Sequence, residues 1–170
     1  GTYIWQVNVG GDNAIHKIDP ANGHTVGSIH NATWAGVSQR GLAYNANDDT
    51  FYIAGWNEDI IYKFKGESWG NPGEVIEQWS MPVSIAGLAY HPVADVLLVS
   101  ANSSPDMIYL VNATTHATIG QFQHPAHGDY MGVGCELARD GNPWGASWGE
   151  NKTYPVDTGL GPTGAGPWLT

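Results

Sequence analysis

The sequence has a single cysteine, Cys135, and few basic residues. One cysteine in 170 residues excludes an internal disulfide, and at a strand position we expect it to be a small buried hydrophobe rather than a reactive thiol. Six Lys and Arg residues stand against 16 Asp and Glu residues, which gives a formal net charge of −10. Because such a charge repels phosphate backbones and anionic lipid surfaces, we expect no nucleic-acid partner and no membrane-surface partner.

Long hydrophobic runs and helical periodicity are also missing. No run approaches the roughly 18 apolar residues of a membrane span, so we expect no membrane insertion. No charged and then apolar leader precedes the first strand, and the chain opens at Gly1 without methionine, so we expect a mature or excised product. No window keeps apolar residues at helical spacing for three turns, and 23 glycines with 10 prolines would interrupt most helices. The composition therefore predicts an all-β chain.

Motifs of common catalytic sites are absent as well. The sequence contains no Gly-x-Ser-x-Gly nucleophile elbow and no Gly-x-x-x-x-Gly-Lys phosphate loop. We therefore expect no cofactor, and the sequence favours a non-catalytic protein over an enzyme. A histidine and a carboxylate from separate loops could still assemble a site, for instance His127 with Glu58 or Asp129.

An internal repeat of 45 to 47 residues is what the sequence does have. Gly41-Leu42-Ala43-Tyr44 returns 46 residues later as Gly87-Leu88-Ala89-Tyr90, and a less complete copy, Gly132-Val133-Gly134-Cys135, follows after another 45. Ile61-Tyr62-Lys63-Phe64 and Ile108-Tyr109-Leu110-Val111 form a second column in the same frame. A period of this size is typical of repeat architectures such as propellers.

Short apolar or alternating runs separated by Asn, Asp, Gly and Pro clusters fill each period, which predicts about four strands per repeat. Four antiparallel strands in 40 to 50 residues make one propeller blade. The predicted fold is therefore a β-propeller-like array of about four four-stranded antiparallel blades. The predicted domain covers residues 1–159, with blades at about 1–30, 31–82, 83–125 and 126–159. The first blade starts at its second strand and lacks its inner strand.

Residues 160–170 form a Gly/Pro-rich tail, in which only Pro167–Leu169 could serve as the outer strand of blade four. The strand count leaves three ways to complete the propeller. The chain closes as an unusual four-bladed ring, or it is a piece of a larger ring, or a neighbouring chain supplies a missing strand through an open blade edge.

Two segments, Ile15–Gly23 and Met107–Thr115, resemble the strand-turn-strand signature of secreted YVTN-like and NHL-like propeller repeats. The resemblance spans residues 2 to 157 and implies a propeller fold. It carries over no catalytic residue, because the signature residues build turns and cores, and propellers host many unrelated functions.

Two sets of loops lie on one face of the predicted propeller. One set joins successive blades, and the other joins the second and third strands within each blade. Aromatic side chains beside carboxylates and amides suit sugar or peptide recognition there; the alternative is that the tryptophans pack between blades. The candidate binding residues are Trp34, Trp56, Glu58, Asp59, His124, His127, Asp129, Tyr130 and Trp148.

A weak metal candidate lies in the same set. His124, His127 and Asp129 place two imidazoles and a carboxylate within six residues, ligands that suit zinc or another transition ion if the loop folds back on itself. The segment lacks a helical or paired-cysteine framework, and a solvated turn is the favoured interpretation. We therefore expect no metal.

Asn-x-Ser/Thr sequons occur at Asn31, Asn102, Asn112 and Asn151, all in predicted loops or turns. Used sequons would place the protein outside the cell or on its surface; the alternative is that turns are simply rich in Asn, Ser and Thr.

Two functional hypotheses result. The first is a non-catalytic extracellular module that binds a protein, a glycan or copies of itself. The second is a small secreted propeller enzyme, a lyase or hydrolase, with a histidine-centred site on the loop face.

Overall fold

The computed structural model of the chain describes residues 3–36, 38–124, 134–147 and 151–164. These residues form four antiparallel sheets, each built from strands that follow one another in sequence. Sheet 1 contains β1 (Ile4–Val7), β2 (Ile15–Ile18) and β3 (Thr25–Ile29). Sheet 2 contains β4 (Gln39–Asn45), β5 (Thr50–Gly55), β6 (Ile60–Lys65) and β7 (Val75–Ser80). Sheet 3 contains β8 (Ile85–His91), β9 (Val96–Ala101), β10 (Met107–Asn112) and β11 (Thr118–Gln123). Sheet 4 contains β12 (Gly134–Leu137), β13 (Pro143–Ser147) and β14 (Lys152–Pro155).

This arrangement confirms the predicted propeller-like array, and among the described residues the first blade has no inner strand. The register identifies β1 as the counterpart of β5, the second strand of its sheet, because β1 pairs with β2 as β5 pairs with β6. Trp5 lies opposite Lys17, as Tyr52 lies opposite Lys63. In sheet 2 the strand inside β5 is β4; among the described residues no strand holds that place inside β1.

One short helix, which the sequence did not predict, interrupts the β architecture. Helix α1 spans Ala32–Ala35 between sheets 1 and 2, and the side chain of Asn31 caps it by accepting a hydrogen bond from the backbone N–H of Thr33 at 2.9 Å. No helix in the described part of the chain is long and apolar enough to cross a membrane.

Burial follows the position of each strand in its sheet. The second strands β5 and β9 are buried along their whole length, since neighbouring sheets cover both of their faces. In the outer strand β7, half-buried and exposed residues alternate, and most residues of the outer strand β11 are exposed. Three apolar clusters fill the spaces between sheets 1 and 2, 2 and 3, and 3 and 4, so the described core consists of these layers.

The turns between the first two strands of sheets 2 and 3 share one device. Asp49 and Asp95 adopt left-handed backbone conformations, with φ of +50° and +52°. Tyr44 donates its hydroxyl to Oδ1 of Asp49 at 2.9 Å, and Tyr90 donates to Oδ1 of Asp95 at 3.0 Å. The tyrosine of the Gly-Leu-Ala-Tyr motif therefore fixes the turn that follows its own strand.

The described part of the tail docks on turns and does not form a strand. The Gly161 carbonyl accepts a hydrogen bond from Nε2 of His91 at 2.8 Å, because Nδ1 of that ring accepts the Ala94 N–H. Thr163 N–H donates to the Arg139 carbonyl at 3.1 Å. The candidate outer strand at Pro167–Leu169 lies outside the described residues.

Candidate functional site

The inner strands of the sheets converge on a cavity of about 220 Å³. Glycine makes this convergence possible, because a Cβ on Gly41 would lie 2.8 Å from the Leu88 backbone nitrogen and 2.9 Å from the Gly87 carbonyl carbon. We call this space the axial cavity. Its lining residues come from β1, β4, β8 and β12: Trp5, Gln6, Val7, Gly41, Leu42, Gly87, Leu88, Cys135 and Glu136.

The fourth inner strand has a different register from the one that the sequence predicted. Leu42 packs toward sheet 1, Leu88 toward sheet 2 and Cys135 toward sheet 3, so Cys135 occupies the leucine position of the repeat. The sequence copy Gly132-Val133-Gly134-Cys135 predicts Cys135 at the tyrosine position of the motif, and this prediction is wrong. The matching glycine is Gly134, 47 residues after Gly87 rather than 45.

This register places Glu136 where the other copies have alanine. Ala43 packs toward sheet 3 and Ala89 toward sheet 4. Since successive residues of a strand point to opposite faces, Glu136 points away from sheet 3, the side on which Cys135 is packed. A carboxylate thus stands at a position that is otherwise small and apolar. Sequence reasoning missed it, although the column Ala43, Ala89, Glu136 contains the signal.

The surroundings of Glu136 favour its neutral form. Burial raises the pKa of its carboxyl. The residue is solvent-exposed, since it borders both the axial cavity and an open groove along residues 136–140, and the protein atoms around its carboxyl still raise the pKa. Among the described residues no hydrogen-bond donor or cation is recorded at the carboxylate to offset the burial. A carboxyl with a raised pKa in a cavity is a candidate for proton transfer.

A pH dependence of folding stability follows from this shift. The folded state holds the Glu136 proton at pH values where the unfolded chain, with an ordinary glutamate pKa of about 4.3, has released it. Stability therefore falls as the pH rises from that ordinary value through the raised one. The side chain of Glu136→Gln cannot ionise. The unfolding free energy of the wild type should therefore fall relative to that of the variant as the pH rises across this window. Urea unfolding at a series of pH values measures the difference, and a constant difference from acid to neutral pH would contradict the raised pKa.

The other groups in the axial cavity suit a small polar substrate. Gln6 borders the cavity with a polar side chain, whereas the Trp5 indole packs edge to face with Phe51 at 5.0 Å in the apolar layer between sheets 1 and 2. The volume of about 220 Å³ lies below the roughly 300–1,000 Å³ of pockets for drug-sized ligands. The cavity therefore has room for a group the size of one amino-acid side chain.

Cys135 takes no part in the chemistry that this cavity could support. The residue is 3% exposed, and burial raises the pKa of its thiol to about 12. The thiol stays protonated near neutral pH and is a poor nucleophile. The predicted small buried hydrophobe is confirmed.

The loop-face candidates do not form one described site. Trp34 is fully buried in α1, where it stacks on Phe64 at 4.8 Å and donates its indole N–H to the Gly73 carbonyl at 3.0 Å. It packs between sheets and offers no platform to a ligand. His127, Asp129, Tyr130 and Trp148 lie outside the described residues.

Three of the candidates do lie together in the turn between β5 and β6. Trp56 is 38% exposed. Glu58 accepts a hydrogen bond from the Tyr62 hydroxyl at 3.3 Å. Asp59 has a left-handed φ of +51°, and its carbonyl accepts the Met81 N–H at 2.8 Å. This turn carries an exposed aromatic ring and two carboxylates, and none of these three residues is part of the lining of the axial cavity.

His124 lies inside the protein rather than on a loop face. It is 1% exposed, and its ring meets Tyr154 of sheet 4 edge to face at 6.0 Å. Its predicted metal partners His127 and Asp129 lie outside the described residues. Within residues 3–36, 38–124, 134–147 and 151–164, no group of three metal-ligating side chains comes together. None of the described histidines lines the axial cavity, so the predicted histidine-centred site is not seen there.

The sequon asparagines differ in accessibility. Asn102 is 6% exposed, and a glycan could not be attached to it without local opening. The Asn112 side chain accepts the backbone N–H groups of Thr114 and Thr115, as in an ordinary turn. Asn31 caps α1, and Asn151 is exposed with a left-handed φ of +52°. An extracellular location stays a prediction.

Comparison with known proteins supports the fold alone. No protein-family model and no curated protein sequence matches the chain, so the finer resemblance to YVTN-like and NHL-like repeats has no support from sequence. The structure is similar to the crystal structure of glutaminyl cyclase from Myxococcus xanthus, with a TM-score of 0.70 and 14% sequence identity. The similarity covers 92% of this chain and 62% of that one. The chain thus spans less than two thirds of the length of this structural neighbour.

Proposed function

We propose that the axial cavity is the active site of an acid–base enzyme in which the Glu136 carboxyl transfers the proton. The observation that carries the proposal is a carboxyl with a raised pKa on a residue that borders a cavity sized for one side chain. A catalytic acid or base works best when its pKa lies near the working pH, and burial moves a carboxyl in that direction.

The structural neighbour supports an enzyme over a scaffold. The sequence favoured a non-catalytic module, with the enzyme as its alternative. We now place the enzyme first, because the neighbour is named as a glutaminyl cyclase. The site differs from the one that the sequence indicated, since a carboxylate replaces the histidine at its centre.

Cyclisation of an N-terminal glutaminyl residue is the reaction that we assign. The α-amino nitrogen attacks the side-chain amide carbon, a ring C–N bond forms, and the amide nitrogen leaves as ammonia. The Glu136 carboxylate accepts a proton from the attacking amine and returns it to the departing nitrogen, so its own protonation state is unchanged after one turnover. The glutaminyl side chain is of the size that the axial cavity accepts, and the Gln6 amide can donate to its carbonyl oxygen.

The assay uses a short peptide with a free N-terminal glutamine, and it follows ammonia release together with the loss of one ammonia in the peptide mass. The same peptide with an acetylated amino group is the matched control, because its nitrogen cannot attack. We expect release from the free peptide above the rate without protein, and none from the acetylated peptide. Equal rates with and without the protein would overturn the assignment as a cyclase.

A further inference from the structure

The turn between β2 and β3 contains Asn22 followed by Gly23, the only asparagine–glycine pair in the sequence. Both residues are exposed, and nothing lies within 4 Å of a Cβ placed on Gly23, whose backbone is left-handed with a φ of +74°. Because glycine has no Cβ, its backbone nitrogen is open to approach from the preceding side chain. The Asn22 amide and the Gly23 nitrogen are therefore suited to ring closure with each other.

Ring closure at such a pair removes ammonia without a cofactor or an oxidant. The Gly23 nitrogen attacks the side-chain carbon Cγ of Asn22, a new C–N bond forms, and the bond from Cγ to Nδ2 breaks. The proton of the Gly23 N–H leaves with Nδ2 as ammonia. Water then opens the succinimide ring at one of its two carbonyls, which leaves aspartate or isoaspartate at position 22.

The turn holds both reacting groups, and Asp19 makes most of the contacts. Nδ2 of Asn22 donates to Oδ2 of Asp19 at 3.0 Å, and the Gly23 N–H donates to the Asp19 carbonyl at 2.8 Å. Oδ1 of Asn22 accepts the His24 N–H at 2.8 Å, so the carboxamide is held at both ends. Oδ1 of Asp19 accepts the Ala21 N–H at 2.9 Å, which fixes the carboxylate. Since the amide must turn toward the Gly23 nitrogen before it can react, these hydrogen bonds oppose the reaction.

The turn between β10 and β11 shows that the fold does not require the reactive pair. Asn112 corresponds to Asp19, and His116 corresponds to Gly23, with a similar left-handed φ of +61°. The His116 N–H donates to the Asn112 carbonyl at 2.9 Å, as the Gly23 N–H does to Asp19. The same turn is thus built with a residue other than glycine at this position.

We propose that Asn22 is a site of spontaneous deamidation and that the Asp19 carboxylate slows the reaction in the folded protein. The product lacks the amide donor and has a second carboxylate next to Asp19, so like charges meet across the turn. Deamidation therefore weakens the connection between β2 and β3 and makes the net charge more negative than −10. The reaction uses no group of the axial cavity, so the proposal is independent of catalysis at Glu136.

Tandem mass spectrometry of the tryptic peptide 18–40 measures the reaction in the full chain, kept at mildly alkaline pH with and without urea. This peptide also contains Asn31, which precedes alanine and is an internal control for the effect of glycine. We expect Asn22 to deamidate more than about tenfold faster in urea than in the folded chain, because the hydrogen bonds to Asp19 are lost. In urea, Asn31 should react more slowly than Asn22. Equal rates at Asn22 in the folded and the unfolded chain would overturn the proposal.

Two variants separate the effect of Asp19 from that of the reactive pair, and circular dichroism checks that both are folded. Asp19→Ser keeps an oxygen that can accept the Ala21 N–H and removes the oxygen that binds the Asn22 amide. Deamidation of this variant should be more than about tenfold faster than that of the wild type when folded, and equally fast in urea. Gly23→His copies the residue of the β10–β11 turn, and its Cβ should slow the reaction in urea by about tenfold or more. Equal rates in the folded wild type and folded Asp19→Ser, or no reaction at Asn22 of the wild type in urea, would each contradict the proposal.

Discussion

If Glu136 transfers the proton as proposed, we expect Glu136→Gln to lower the rate of ammonia release from a glutaminyl peptide by about 10²- to 10⁴-fold, the usual contribution of a general acid or base. Glutamine keeps the shape and the hydrogen-bonding capacity of the side chain but can neither accept nor return the proton. The rate constant at saturating peptide should account for most of the loss, because Trp5, Gln6 and the rest of the cavity lining are unchanged.

The control for this variant is Glu58→Gln. Glu58 lies in the exposed turn between β5 and β6 and accepts only the Tyr62 hydroxyl among the hydrogen bonds recorded for it. This glutamate was also a candidate on the loop face, so the pair of variants separates the two sites. Activity that survives in Glu136→Gln and is lost in Glu58→Gln would move the reaction from the axial cavity to the loops.

The pH dependence of activity is a second, independent test of the role of Glu136. In the wild type, kcat/KM should rise with pH through the raised pKa of the Glu136 carboxyl, since the carboxylate is the form that accepts the amine proton. The residual activity of Glu136→Gln should lack this rise. A rise at the same pH in both proteins would show that another group titrates there.

Gly41→Val is expected to destabilise the fold by about 3 kcal/mol, at the upper end of what overpacking usually costs. The new Cβ alone would lie 2.8 Å from Leu88 Cγ and from the Leu88 backbone nitrogen. A flexible side chain could move, but the backbone of β8 is held in sheet 3 through its pairing with β9. Two inner strands must therefore separate near the axis, which also enlarges the axial cavity.

Gly70→Val is the matched control for this substitution. Nothing lies within 4 Å of a Cβ at Gly70, and its backbone is not in the left-handed region. Urea unfolding of the three proteins measures the difference in stability. Equal losses in the two variants would mean that close contact between inner strands is not what requires glycine in the repeat.

The sequence predicted the architecture well because the repeat fixes it. Gly41–Tyr44 and Gly87–Tyr90 lie in the first strands of sheets 2 and 3, which have the same strand order, so one period predicted both sheets. The turns predicted from Asn, Asp and Gly clusters are also present in the structure. Asp49, for example, has a left-handed backbone conformation and accepts a hydrogen bond from Tyr44.

The candidate site could not be predicted in the same way, because it depends on register and on burial. Two glycines, Gly132 and Gly134, compete for the repeat position, and only the packing of Cys135 against sheet 3 decides between them. A shift of two residues hid the carboxylate of Glu136 in the alanine column. The prediction of Trp34 as a binding residue was wrong for a related reason. Composition alone does not distinguish a tryptophan that binds a ligand from one that packs between sheets.

The titration of Glu136 itself tests the central claim most directly. NMR of the chain with ¹³C-labelled glutamate side chains follows the six glutamate carboxyls with pH, and the spectrum of Glu136→Gln identifies the signal of residue 136. The account predicts one carboxyl that titrates clearly above the ordinary value of about 4.3 and is absent from the variant. A Glu136 signal that titrates together with the other glutamates would contradict a proton-transfer group with a raised pKa at the axial cavity.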